Sequence, residues 1–169
     1  KALVDWYGYD NLVKFQAGAG DEYSAQNAFE RGKIAMMIDG EYRTAFIENE
    51  HSDLNYGTAP MVVDDDQSDL YGGGYVTGSI IGIPKGAKNP AAAWELVKYL
   101  AYDEHALATL SNGLRNVPTT DASLHSPELK PNANFATFVK VFPNEHSATN
   151  PITAAGAAYQ EAAEQFFAK

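Results

Sequence analysis

The chain has 169 residues, of which 45% are apolar and 20% are charged, and its formal net charge is −10. This composition allows a folded core and excludes a disordered chain. The acidic balance argues against binding to nucleic acids or anionic membranes, which need a basic patch, and the absence of cysteine excludes disulfides, zinc thiolates and thiol nucleophiles.

Helices and strands are predicted to alternate through the first half of the chain. Asp21 or Ser24 can cap a short helix, whose apolar face and final turn would be formed by Ala25, Ala28, Phe29 and Gly32. An apolar run at residues 34–38 predicts a buried strand, and a helix should follow at about 41–48. A second strand is predicted near residues 55–60, before a polar and then glycine-rich loop.

The second half continues the alternation. The β-branched residues of 78–84 predict a third strand, and Asn89-Pro90 is a typical helix start, with an N-cap followed by proline. Residues 112–120 are predicted to form a loop, and a short helix should lie between Pro131 and Pro143. A last helix would present Ala155, Tyr159, Ala162, Ala163 and Phe166 on one face. The pattern predicts an α/β chain with its strands in a mixed sheet.

The turn at residues 39–43 is the first candidate site. In open α/β sheets ligands bind beyond the carboxyl ends of strands, where helix N-termini offer free N–H groups. An aromatic ring beside such donors suits a sugar, because the ring covers its C–H face while carboxylates and N–H groups bond its hydroxyls. The alternative is purely structural: Asp39 caps the helix and Tyr42 packs on the core.

Other motifs carry weaker signals. Gly72-Gly73-Gly74 lacks the spacing of a phosphate loop, so it indicates a turn that brings the backbone close to a ligand or to a neighbouring strand. Tyr71 and Tyr75 flank it as candidate stacking surfaces. The acidic run at residues 64–69 lacks the calcium-loop pattern, and the four histidines are too far apart for a local metal motif. Asp39 and Glu41 sit on one turn, which does not place them across a glycosidic bond.

Five blocks, in this order along the chain, resemble one family of proteins. They are "FERGKIAMMIDGEYR", "YGTAPMV", "GGGYVTGSIIGIPKGAKNPAAAWELVKYLA", "NGLRNVPTT" and "PNEHSATNPITAAGAAYQ". Together they resemble the C-terminal half of an extracellular solute-binding protein of an ABC-type sugar importer, the group that includes the maltose-binding protein. The block from the glycine-rich loop through Asn-Pro to Ala-Trp is the most specific.

This resemblance implies a two-lobe, type II periplasmic-binding-protein-like α/β fold with mixed sheets flanked by helices. Residues 1–78 would belong to the second lobe, residues 79–110 to the first lobe, and residues 111–169 would return to the second. The first half of such a protein is absent here. Open sheet edges near residues 80–83 would then favour self-association with a second copy.

The resemblance also implies a set of ligand-binding residues. Tyr42 takes the position of the family's cleft tryptophan and would stack on a sugar ring, which leaves a smaller surface with an added hydroxyl. Asp39 and Glu41 would bond hydroxyls, and further contacts would come from residues 149–153 and from Gly73, Gly74, Arg115 and Asn116.

The implied function is binding of a neutral mono- or oligosaccharide and its delivery to ABC permease subunits. The protein would be extracytoplasmic, as a cell-surface lipoprotein or in the periplasm, and would need no cofactor and no metal. It would not be an enzyme. The alternatives are a carrier of peptides or other small solutes on the same fold, or a carbohydrate-active enzyme that uses Asp39 or Glu41.

Overall fold

The computed structural model describes residues 1–149 and, beyond them, residues 156, 158, 161, 162 and 165. Those five isolated residues are helical, and the rest of the predicted last helix lies outside the described residues. No helix in the described part of the chain is long and apolar enough to cross a lipid bilayer. In chain order the elements are α1 (Ala2–Tyr7), α2 (Tyr9–Gly18), α3 (Arg43–Glu50), a 3₁₀ helix (Asp65–Leu70), α4 (Pro90–Tyr102), α5 (Glu104–Leu114), α6 (Asp121–Leu124) and α7 (Ala133–Val141).

The chain divides into two compact units. The first contains Lys1–Ala59 and Ile83–Val139, and the second contains Pro60–Gly82 and the chain from Lys140 onward. In the first unit the largest fully buried side chains include Phe135 of α7 and Ile47 of α3. The second unit carries the glycine-rich segment. The predicted site residues are therefore divided between the two units.

The predicted helix start at Asn89-Pro90 is confirmed, and the short helix predicted between Pro131 and Pro143 is found as α7. The side chain of Asn89 accepts a hydrogen bond from the Ala92 N–H at 3.2 Å, and Pro90 opens α4. The carboxamide oxygen of Asn132 likewise accepts the Phe135 N–H at 2.8 Å and caps α7. In both places a short polar side chain satisfies an N–H group that the helix leaves free.

The predicted helix after residue 21 is wrong, because this stretch forms successive turns. Asp21, Ser24 and Asn27 each accept a hydrogen bond from the backbone N–H two residues later. Such local bonds compete with helical ones, and three of them at three-residue intervals break the helix into turns. Gly32 was expected to form the final turn of this segment, and it does close the last turn, with a φ of 66°.

The three predicted strands are not formed within the described residues. That part of the chain contains one isolated parallel bridge, between Tyr75 and Ala148, and no paired strand. Met36 is 85% exposed and Ile80 is 96% exposed, although the apolar pattern predicted burial for both segments. Composition supplies a preference for the extended state, but a strand exists only when a neighbour accepts its ladder of hydrogen bonds. These segments find no such neighbour in the described chain, so the mixed sheet is not seen.

Candidate functional site

The turn before α3 is held by Asp39 and not by a helix cap. One carboxylate oxygen of Asp39 accepts the Gly40 N–H at 2.7 Å, and the other accepts the Nε–H of Arg43 at 2.6 Å. The N-cap of α3 is Tyr42, which makes no side-chain capping bond. The N–H groups of Arg43 and Thr44 bond to the carbonyls of Gly40 and Glu41, so the predicted free donors are already used.

Arg43 ties this turn to the preceding loop through three groups. Its Nη1 donates to Glu30 Oε1 at 2.8 Å, and its Nη2 donates to the carbonyl of Glu22 at 2.6 Å, in addition to the bond with Asp39. The side chain of Arg43 is 5% exposed and that of Glu30 is 0% exposed. Burial lowers the pKa of Arg43, but the bonds from Asp39 and Glu30 outweigh it and raise that pKa.

Tyr42 is half-buried in a small aromatic cluster. Its ring lies 6.4 Å from Phe46 in an edge-on arrangement and 6.0 Å from Tyr23 at an interplanar angle of 38°. The ring also covers Gly40, where an added Cβ would come within 2.5 Å of the Tyr42 Cε1. Glycine at position 40 thus makes room for the ring. Tyr42 is neither fully packed in the core nor free in solvent. Its surroundings are therefore compatible with packing on the core and also with stacking on a sugar, the two interpretations of the sequence.

The hydroxyl of Tyr42 should ionise only at strongly alkaline pH. Burial raises the pKa of Tyr42, and the hydrogen bond and charge of Asp39 and then the contact with Tyr23 raise it further. Its contribution to stability is therefore complete below about pH 10, the ordinary tyrosine pKa, and is lost as the pH rises through the higher folded value. The phenolate absorbance of the wild type minus that of Tyr42→Phe gives this titration directly. A midpoint at the ordinary value would show that the cluster does not hold the hydroxyl.

Asn116 and Glu41 are 75 positions apart in the chain, yet they meet at this turn. Asn116 Nδ2 donates to Glu41 Oε1 at 3.2 Å, and Asn116 is exposed while Glu41 is half-buried. α5 extends to Leu114, into the predicted loop, and Arg115 ends it with a φ of 55°. This left-handed turn directs the chain toward Glu41.

Arg115 itself is engaged in structural contacts. Its Nε and Nη2 each lie 3.0 Å from Glu48 Oε2, and its Nη1 donates to the carbonyl of Lys130 at 3.0 Å. The guanidinium also lies 5.7 Å from the centre of the Phe135 ring. Glu48 in turn accepts a hydrogen bond from Asn132. Arg115 therefore positions the chain next to Asn116 by joining the end of α5 to α3 and α7.

Gly73, Gly74 and Tyr75 lie in the second unit. Gly74 N–H donates to Ser147 Oγ at 3.1 Å, and the Gly74 carbonyl accepts the Ala148 N–H at 2.9 Å. An added Cβ on Gly73 would come within 2.9 Å of the His146 carbonyl oxygen. Of the two sequence interpretations, close approach to a neighbouring segment is therefore the one seen. Tyr75 keeps its ring exposed, and residues 150–153 of the predicted cleft segment lie outside the described residues.

One surface cleft of the first unit contains none of the predicted site residues. It has a volume of about 410 Å³ and is lined by Glu30, Arg31, Gly32, His51, Asp53, Leu54 and Asn55. Within the residues that the structure describes, no three metal-ligating side chains come together. The candidate site is thus centred on the half-buried Tyr42 and lies apart from the residues of this cleft. The sequence analysis did not identify Tyr23 or Glu30 as part of this region. Tyr23 could have been found, because it is an aromatic residue between the turn-forming Asp21 and Ser24.

Comparison with known proteins places the chain in a family. The family described as bacterial extracellular solute-binding protein matches residues 1–137. A maltotriose-binding protein of Pyrococcus abyssi (strain GE5 / Orsay) is 22% identical over 122 residues, which is 72% of this chain and 27% of the relative. The chain therefore spans about a quarter of the length of that curated relative. No solved structure matches the chain. Since the family match covers most of the 169 residues, the chain belongs to the bacterial extracellular solute-binding proteins.

Proposed function

We propose that the protein is the carbohydrate-binding component of an ABC-type sugar importer, which binds a neutral sugar and delivers it to permease subunits. The observation that carries this proposal is the half-buried ring of Tyr42 beside the hydrogen-bonded pair of Glu41 and Asn116. Family membership supports an extracytoplasmic protein of the type II two-lobe fold. The name of the maltotriose-binding relative supports a sugar as the ligand.

The chemistry of the turn suits a pyranose. Such a ring has C–H faces that pack on aromatic side chains and a rim of hydroxyls that both donate and accept hydrogen bonds. Tyr42 provides the aromatic surface. Asn116 and Glu41 bond to each other at 3.2 Å in the free site, so neither polar group is left unpaired. Hydroxyls of a bound sugar can replace both partners at once, so that both polar groups stay hydrogen-bonded when the sugar covers them.

Delivery would follow from closure of two lobes around the sugar. In this proposal residues 1–78 and 111–169 belong to one lobe and residues 79–110 to the other. Closure requires that the sugar bind more tightly to the closed form than to the open form. Gly73, Gly74 and the exposed residue Tyr75 are kept in this proposal as ligand-binding residues of the glycine-rich segment. A lipid anchor or a periplasmic location would keep the protein near its permease.

The contacts of Asp39 favour a binding protein over an enzyme. A catalytic carboxylate needs an oxygen free to reach the substrate or a water molecule. Both oxygens of Asp39 are occupied, by the Gly40 N–H and the Arg43 Nε–H. Glu41 has no second carboxylate placed across from it on this turn. We therefore propose that the sugar is bound and released unchanged.

Maltotriose should stabilise the natural full-length protein, and Tyr42→Ala should weaken this effect. At about 100 times its dissociation constant, a ligand raises the free energy of unfolding by about 2.7 kcal/mol. Loss of the stacking surface should weaken binding by about 1–3 kcal/mol, by analogy with stacking on flat ligands. Thermal unfolding with and without the sugar measures the first effect, and calorimetric titration measures the second.

Tyr102→Ala is the matched control, because Tyr102 is an exposed tyrosine on α4 away from the turn. It should bind as the wild type does. Stabilisation by short peptides but not by sugars would favour the peptide carrier. Turnover of a chromogenic glycoside would favour the enzyme. Unchanged affinity in a folded Tyr42→Ala variant would show that Tyr42 serves packing alone.

A further inference from the structure

Tyr23 presents an exposed aromatic ring beside the candidate site. The residue is 58% exposed, and its ring lies 6.0 Å from Tyr42 and 6.4 Å from Phe46. The three rings form a continuous aromatic surface, of which Tyr23 is the most exposed member. Phe46 and Tyr42 are half-buried, so Tyr23 is available for contact with a ligand.

The loop that carries Tyr23 is anchored from beneath by buried groups. Arg43 Nη2 donates to the carbonyl of Glu22 at 2.6 Å, and Asn27 Nδ2 donates to the same oxygen at 3.3 Å. Both donors belong to buried residues. The Tyr23 N–H also donates to Asp21 Oδ1 at 3.0 Å. The peptide group that joins Glu22 to Tyr23 is thus held at both its carbonyl and its N–H, and the ring can be covered at a small cost in conformational entropy.

The angle between the two tyrosine rings indicates what they could cover. The rings are tilted by 38°, so one flat sugar ring cannot lie against both faces. Two linked sugar rings can change orientation at their glycosidic bond and so follow a tilted surface. Both surfaces are aromatic rings, which suit the C–H faces of a neutral chain of sugars. The arrangement therefore suits a ligand longer than one ring.

We propose that Tyr23 is a second stacking residue of the site and that the site takes an oligosaccharide, one ring on Tyr42 and the next on Tyr23. This inference rests on the proposed sugar-binding function. Tyr23 would then make the site bind an oligosaccharide more tightly than a single sugar ring. Arg43 then acts as a positioning residue, because it fixes the loop of Tyr23 and the turn of Tyr42 with a single guanidinium.

Calorimetric titration of the natural full-length protein with maltotriose and with glucose tests the inference. Wild type should bind glucose at least about tenfold more weakly than maltotriose, a difference of about 1.4 kcal/mol. Tyr23→Ala should raise the dissociation constant for maltotriose about tenfold and change that for glucose little. Tyr23→Phe should match the wild type, since stacking uses the ring and not the hydroxyl.

Two further variants keep the result interpretable. Tyr23→Leu retains an apolar contact with Phe46 but removes the aromatic face, so it should lose affinity as the alanine variant does. Tyr102→Ala should change nothing. Equal affinity of the wild type for glucose and maltotriose would overturn the inference, as would unchanged maltotriose binding in a folded Tyr23→Ala protein. If Tyr42→Ala still weakens binding in that case, the sugar-binding function stands. If the folded wild type binds neither sugar, both proposals fall.

Discussion

Arg43→Met is expected to lower the free energy of unfolding by about 3–5 kcal/mol, because it leaves the buried carboxylate of Glu30 without its ion partner. Glu30 is 0% exposed, and its Oε1 accepts from Arg43 at 2.8 Å. The substitution also removes one of the two donors to the Glu22 carbonyl, which keeps its bond from Asn27, and frees one oxygen of Asp39. Methionine keeps much of the volume of the side chain, so the loss reports the polar contacts. Urea denaturation followed by circular dichroism measures the shift.

Lys98→Met is the matched control for this prediction. Lys98 Nζ lies 2.7 Å from Glu95 on α4, but both side chains are exposed. Exposed ion pairs contribute about 0–1 kcal/mol, so the denaturation midpoint should barely move. Equal effects of the two substitutions would contradict a buried network around Arg43. A double variant, Arg43→Met with Glu30→Gln, should recover part of the loss, because no buried charge remains unpaired.

Phe135→Ala is expected to destabilise the first unit by about 3–5 kcal/mol, the range for deleting a buried phenylalanine ring. The side chain is 0% exposed, and the cavity left behind lies beneath the guanidinium of Arg115. Arg115 would lose its packing surface, and the turn that directs Asn116 toward Glu41 would loosen. We therefore expect weaker maltotriose binding as well as lower stability. Thermal unfolding and calorimetric titration of one preparation measure both.

Phe138→Ala provides the control on the same helix. Phe138 is half-buried and is not the ring that lies against the Arg115 guanidinium, so its loss should cost less stability and leave sugar binding unchanged. The two variants remove the same group from one helix, so the comparison isolates the effect of burial. Similar losses in both would contradict the central position of Phe135.

Part of the candidate site could be predicted from patterns of neighbouring residues, and part could not. The turn at residues 39–42 was recognisable, because an acid, an aromatic and a helix start follow one another within a few positions. The resemblance to the family also pointed to Asn116, which the structure brings to within hydrogen-bond distance of Glu41. The bond of Arg43 to Glu30 spans 13 positions and follows no local pattern. The bond of Arg115 to Glu48 could not be predicted from a local pattern either, since the two residues lie 67 positions apart.

The sequence by itself determined the helix start at Asn89, the short helix between Pro131 and Pro143, the turn at Gly32, the acidic surface and the family of the chain, because each depends on composition or on residues near one another. Only the tertiary structure decided that residues 34–38 and 78–84 lie unpaired, that Arg43 is a buried anchor, and that Tyr23 stands beside Tyr42. The physical reason is that strand pairing, ion pairing and ring contact depend on partners distant in the chain. Local preferences limit which contacts are possible, but long-range packing selects among them.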